Sequence, residues 1–268
     1  QLKDVPAVSF LQLKDVPAVD VRVYGAKGDG IADDTDEIQA AIDANNAIII
    51  PANLTFKITD NLTVTKDSFT VIGFGGEIKL AALSKKIFDV TGDNFRAEGL
   101  ILSGPTDRIA TAPESTYGFH FEGVAGGIIR DCNISYLTYG VKIVTSRDVT
   151  VTNNIFSYNL PLLDGAAGYG VLTGSADRIL VTQNHFNENR HAIYFSSSST
   201  YNTASHNTCI NSWSEGIAIY TKDIQARGHH YLIDGNYISG KPLSELSAIQ
   251  HGITAVENVE GVTIINNV

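Results

Sequence analysis

Between Gly140 and Asn159 the chain reads GVKIVTSRDVTVTNNIFSYN, and apolar residues alternate with polar ones in three short runs: Val141 with Ile143, Val149 with Val151, then Ile155. Alternation with period two is a strand signal, because successive side chains of an extended chain leave opposite faces. Glycine opens the unit, a polar stretch separates the first run from the second, and Asn154 separates the second from the third. Three short strands with turns between them in so few residues do not read as a hairpin. They predict one coil of a parallel β-helix, an architecture recognised by self-similarity at a fixed period.

The unit recurs. Openings of the form small-apolar-x-apolar begin at Gly118, Gly140, Gly170, Ala192, Gly216 and Gly252, in steps of 22, 30, 22, 24 and 36 residues. The two longer steps hold loop-like inserts at residues 160–168 and 240–247, and the polar, proline-containing stretch 103–115 reads as a protruding loop. An asparagine after the second strand recurs at Asn133, Asn154, Asn184, Asn207, Asn236 and Asn267. Asparagine tolerates left-handed backbone and stacks as a hydrogen-bonded ladder at a tight turn. Earlier coils are expected at residues 48–50, 56–58, 62–64, 69–72, 78–80 and 87–90.

Ahead of the coils, Val21 and Val23 alternate into the glycine-rich turn Gly25–Gly30, and Asp33-Asp34-Thr35-Asp36-Glu37 opens a helix. Asp34 is expected to cap it, with Glu37 as the capping-box partner. Ile38, Ala41 and Ile42 form its apolar face and Asn45-Asn46 ends it. The glycine turn and the acidic run fit neither a phosphate loop nor an EF-hand spacing. The expected role is structural: a helix covering the open end of the solenoid, which otherwise exposes unpaired strand edges. Residues 1–8 recur identically at 12–19. This segment reads as an N-terminal arm or an artefactual duplication and carries no functional weight. The chain thus divides into residues 1–19, the strand and capping helix at 20–46, and a β-helix from 47 to 268. Because the sequence stops just after an asparagine marker with no capping element in view, the helix is expected to continue beyond 268.

A net charge of −10 argues against nucleic acid or an anionic membrane as partner. No apolar run reaches the length of a membrane-spanning helix. The two cysteines, Cys132 and Cys209, fall at different phases of the repeat and are expected to be free and buried.

A β-helix fills its interior with side chains, so chemistry must lie on an outer sheet or its loops. Coils stack about 4.8 Å apart, close to one sugar residue, which makes extended glycans natural ligands. Aligning the coils gives columns. The position before each opening residue reads Tyr117, Tyr139, Tyr169, His191, Glu215, His251. Two after the opening residue come His120, Lys142, Leu172, Tyr194, Ala218, Thr254, and Tyr220 lies four after Gly216. One patch therefore combines Tyr169, Arg190, His191, Tyr194, Glu215 and Tyr220, with Lys142, Tyr139 and His120 to one side. Trp213 and Tyr201 offer faces for sugar rings. Two mechanisms fit. In β-elimination from a uronate, Arg190 or Lys142 neutralises the carboxylate while His191 and Tyr169 serve as base and acid. In hydrolysis, two carboxylates flank the bond; Glu215 and Glu188 form the expected pair, with Asp164 in reserve. No acidic cluster suggests a metal, and no cofactor is expected.

The stretch DVRVYGAKGDGIADDTDEIQAAID, Asp20–Asp43, resembles the N-terminal signature of the pectate-lyase-like superfamily of right-handed β-helices. That group includes phage tailspike depolymerases, mannuronan epimerases and other glycan lyases and hydrolases. The resemblance implies a single-stranded right-handed parallel β-helix. By likeness to the tailspikes it implies a homotrimeric depolymerase that binds and cleaves a bacterial capsular or exopolysaccharide, located on the virion tail or outside the cell. Asn187–Ile193 is similar to the Arg-His-Gly coil of mannuronan epimerases, which implies substrate-contacting roles for Arg190, His191 and Tyr139. Tyr117-Gly118-Phe119-His120 resembles that family's Tyr-Gly-Phe-Asp-Pro-His motif, departing from it at His120 and after. A secreted uronate lyase or epimerase and a noncatalytic glycan-binding adhesin are the competing readings.

Overall fold

The computed structural model describes residues 17–105, 115–159, 167–196, 198–221, 228–240, 251–257 and 259–268. Parallel strands wind into a solenoid whose faces are three sheets of ten, nine and eight strands among the described residues. Each sheet takes every third strand of the coil region, so neighbours in a sheet belong to successive coils. The coil predicted at 140–159 is made of Tyr139–Val144 in the third sheet, Arg147–Thr152 in the first and Ile155–Ser157 in the second.

The alternating pattern decides which side chains go inside. Along Tyr139–Val144, Val141 and Ile143 are fully buried while Lys142 is half-exposed. Equivalent residues of successive coils stack on one another, and the core becomes files of like side chains. Phe156 lies on Phe186 at 4.8 Å between ring centroids, and Phe88 on Phe119 at 5.3 Å. Each such burial contributes on the order of 1.5–3 kcal/mol. The glycines that open the third-sheet strands have a steric cause. A Cβ at Gly170 would lie 2.6 Å from both the Ala192 carbonyl oxygen and the Phe186 ring. Cys132 and Cys209 are free and buried in this core.

The turn between the first and second sheets carries the asparagine ladder. Asn184 is buried; its side-chain oxygen accepts from the Asn154 amide and its Nδ2 donates to Val151 O, Thr182 O and Asn207 Oδ1. Asn207, Asn236 and Asn267 repeat the scheme. Asn133 is not part of it. Cys132 occupies the ladder position, its amide donating to Asn154 Oδ1, and Asn133 is an exposed strand residue paired with Ile155. The asparagine stands one residue past the ladder position, at the start of the following strand, where its amide donates to Leu100 O.

The cap helix spans Thr35–Ala44 and buries Ile38, Ala41 and Ile42. Its start differs from the expected capping box. Asp34 makes no side-chain bond to the helix. Its carboxylate is turned back to the glycine turn, accepting from the amides of Lys27 at 2.6 Å and Gly28 at 3.1 Å. Asp33 instead accepts from the Thr35 amide and hydroxyl. The acidic run is thus consumed in holding the turn and helix together. The loops expected at 103–115, 160–168 and 240–247 fall largely outside the described residues, as does Asp164. No described helix is long and apolar enough to cross a membrane.

Candidate functional site

The third sheet brings the predicted columns into register. Tyr117 pairs with Tyr139, Tyr139 with Tyr169, and Tyr169 with His191. Their rings form a continuous stack, with centroid separations of 4.8, 5.5 and 5.0 Å. Glu215 closes it, with Oε2 2.7 Å from His191 Nδ1. A second turn ladder sets the entry to these strands. Asn159 accepts from the Leu137 amide and donates to Asn189, whose Nδ2 in turn donates to Phe156 O. Arg190 and His191 follow this buried anchor directly.

A cavity of about 220 Å³ opens here, lined by Tyr169, Arg190, His191, Tyr194, Glu215 and Tyr220, with Ser214 at its edge. Tyr194 packs against Tyr169, His191 and Tyr220. Arg190 lies 6.0 Å from the Tyr169 ring and donates to the Ala167 carbonyl at 3.0 Å; among the described residues it has no carboxylate partner. Ser214 donates its hydroxyl to Glu215.

The electrostatics follow from burial and contact. The His191 contact, with the Ser214 hydroxyl bond beside it, holds the Glu215 carboxyl down at about 2. Burial pushes His191 below its ordinary value and outweighs the opposing pull of Glu215. Although Nδ1 is close to Oε2, it makes no properly directed hydrogen bond, so the pair is best described as a neutral imidazole beside an ionised carboxylate. Burial also raises Tyr169, against the pull of Arg190, and raises Tyr194. At neutral pH the cavity therefore holds one anion, one cation, a neutral imidazole and protonated phenols.

The other predicted residues lie apart from this cavity. Lys142 sits over the rings of Tyr117 and Tyr139, at 5.4 and 5.2 Å, and burial lowers its pKa. Burial raises Tyr139 to about 12. His120 is buried, with Nδ1 2.9 Å from Asp89. Glu188 does not line the cavity. It lies in the preceding turn with left-handed backbone and accepts the Trp213 indole N–H at 3.1 Å. The expected Glu215–Glu188 pair is therefore not assembled around one cavity. Asp89 and Ser214 were missed by the sequence reading. Extending the outward column one strand back reaches Asp89, which pairs in register with His120; Ser214 falls in the same coil column as Arg190 but was given no role.

A larger hollow of about 550 Å³ lies along the turn between the first and second sheets. Its lining holds Asp131 and His185, and Asp131 is already engaged by Arg130 at 3.8 Å, so size and chemistry point to different places.

The family model described as "Right handed beta helix region" matches residues 78–238, more than half the chain. No curated protein sequence matches. Among solved structures, a surface adhesin of Streptococcus pneumoniae is 14% identical, with a TM-score of 0.75 over 93% of this chain and 71% of its own. A family 28 exopolygalacturonase of Yersinia enterocolitica is 15% identical, with a TM-score of 0.73 over 93% of this chain and 58% of its own. The Dettilon tailspike protein is 18% identical, with a TM-score of 0.61 over 82% of this chain and 50% of its own. At such identities these likenesses concern the fold. Together with the parallel three-sheet solenoid, the family match identifies the chain as a member of the right-handed β-helix family.

Proposed function

We propose that the protein is a depolymerase of the tailspike kind, which binds an acidic bacterial surface polysaccharide along the third sheet and cuts it by β-elimination at the Tyr169–Arg190–His191–Glu215 cavity. The observation that carries this reading is the composition of that cavity. Among the described residues it presents a cation without a carboxylate partner beside a neutral imidazole, a protonated phenol and a single carboxylate. Two-carboxylate hydrolysis has only Glu215 to draw on among the described lining residues.

Arg190 neutralises the uronate carboxylate and stabilises the negative charge that develops when the adjacent carbon loses its proton. His191 takes that C5 proton, with Glu215 favouring the imidazolium that forms. The electron pair forms the C4–C5 double bond and the C4–O4 bond breaks. Tyr169, kept protonated by burial, gives its proton to the departing oxygen. The imidazolium proton returns to the phenolate through solvent. The tyrosine stack continues the site over two further coils. Like the tailspikes, it would act as a homotrimer on a virion tail or at the cell exterior.

The chemistry of the product ends tests this. Digestion of acidic capsular polysaccharides should yield ultraviolet-absorbing unsaturated ends, one for each new reducing end. New reducing ends without unsaturation would replace elimination by hydrolysis. The adhesin reading predicts binding with no new ends.

A further inference from the structure

The outer face of the third sheet carries its cations on alternate strands. Lys86 opens Lys86–Val90, Lys142 lies in Tyr139–Val144, and Arg190 leads into His191–Ser196. The strands between present no cation outwards. Tyr117–Glu122 offers Tyr117, His120 and Glu122, and Tyr169–Gly174 offers Tyr169 and Leu172. The register makes the alternation spatial: Lys86 pairs with Tyr117, Lys142 with Leu172 and Leu172 with Tyr194.

Two of these cations have no carboxylate partner among the described residues. Lys86 is held by Asp89 at 2.8 Å. Lys142 is half-buried over two tyrosine rings, and among the described residues no carboxylate lies within ion-pair distance. Glu122 acts on it only from farther off, and Lys86 opposes its charge. Arg190 likewise contacts a backbone carbonyl and a ring. Lys142 is in register with Tyr194, four positions beyond Arg190, but its Nζ reaches the Tyr117 and Tyr139 rings while Arg190 reaches Tyr169, so both charges gather on the tyrosine column, roughly two coils, or about 10 Å, apart. A partly desolvated cation held by ring faces or a neutral carbonyl, and not by a carboxylate, is a site prepared for an anion. Yet the whole chain is strongly acidic, so a general attraction for polyanions is not the cause.

We propose that the third sheet reads a polysaccharide in which a uronate alternates with an uncharged sugar, one uronate carboxylate meeting Lys142 and the next Arg190, with the uncharged residue lying over Tyr169 and Leu172. This rests on the glycan reading above and deepens it by naming the repeat. A polymer charged on every residue would set a carboxylate over Leu172, with no cation to receive it. A neutral polymer would leave both cations desolvated and unpaired.

Titration calorimetry with the full chain tests this. The probes are size-matched hexasaccharides of three alternating polymers (hyaluronan, chondroitin and heparosan), of two continuous polyuronates (polygalacturonate and alginate), and of neutral maltohexaose. At least one alternating oligosaccharide should bind roughly tenfold or more tightly than either polyuronate. Lys142→Gln should remove that preference and Lys142→Arg should retain it; circular dichroism of each variant checks the fold. Equal affinity for continuous and alternating oligosaccharides, no binding of any alternating one, or an unchanged preference in Lys142→Gln would overturn the proposal. Because affinity and product ends are read in separate experiments, an alternating preference in a protein that cuts nothing would sink the elimination mechanism and leave the register standing. Cutting without that preference would do the reverse.

Discussion

At the scale of single residues, His191 and Glu215 carry the most specific expectations. Base catalysis requires neutral imidazole, and burial holds His191 below its ordinary value of 6.5. The acid limb of the pH–rate profile should therefore fall below pH 6.5, and Tyr169, raised above 10, should place the alkaline limb above pH 10. Glu215→Gln removes the contact that raises His191. The rate should drop by about 10²-fold or more while the acid limb moves to still lower pH; a lower rate with an unmoved limb would reduce Glu215 to a packing role. The same groups link pH to stability. Both titrate lower in the folded protein than in the unfolded chain, so the stability they confer is complete above the unfolded values and declines with acid. For Glu215 the window runs from its ordinary 4.5 down to about 2. The stability difference between wild type and Glu215→Gln should shrink across that interval in acid-denaturation curves. Asn184 gives a purely structural test. Asn184→Ala would remove the acceptor of the buried Asn154 amide and the side-chain donor to Val151 O and Asn207 Oδ1, and should cost about 2–4 kcal/mol in urea unfolding.

At the scale of elements, stacking explains both what the sequence disclosed and what it hid. Alternation in Tyr139–Val144 and its counterparts reports the inside and outside of each strand, so the columns containing His191, Tyr169 and Lys142 were legible before any coordinates. Periodicity locates a residue on a face but not the direction of its side chain in a turn. Glu188 and Arg190 are two residues apart in sequence, yet one turns to Trp213 and the other to the cavity. Asn133 shows the same limit: the marker residue was present one position away from the bonds that define the ladder. The second ladder, Asn159 with Asn189, was hidden because only these two coils carry the asparagine, Leu137 standing at the equivalent position one coil earlier, so no recurring marker showed. The opening glycines are a steric consequence of stacking that can be measured. Gly170→Ala places a methyl against the Ala192 carbonyl and the Phe186 ring, and should lower stability by about 1–3 kcal/mol. At Gly174, where nothing lies within 4 Å of the added atom, the same change should be close to neutral. Equal losses at the two sites would contradict the stacking account.

For the whole molecule, the third sheet runs through eight successive described strands, a face on which an extended polymer can meet one coil per sugar. An acidic protein that binds an acidic glycan must do so through local cations, not its overall field. Affinity for the cognate polymer should fall as salt rises from low to physiological strength, and Arg190→Gln should flatten that dependence. The most direct test of the account follows the chain length of acidic capsular and exopolysaccharides during incubation with the protein, with an Arg190→Ala/His191→Ala variant of intact fold alongside. The account predicts that at least one polymer is shortened by the wild type and left intact by the variant. Polymers that bind but keep their length, or that the variant cuts as fast as the wild type, would contradict the assignment of this cavity as the place of cleavage.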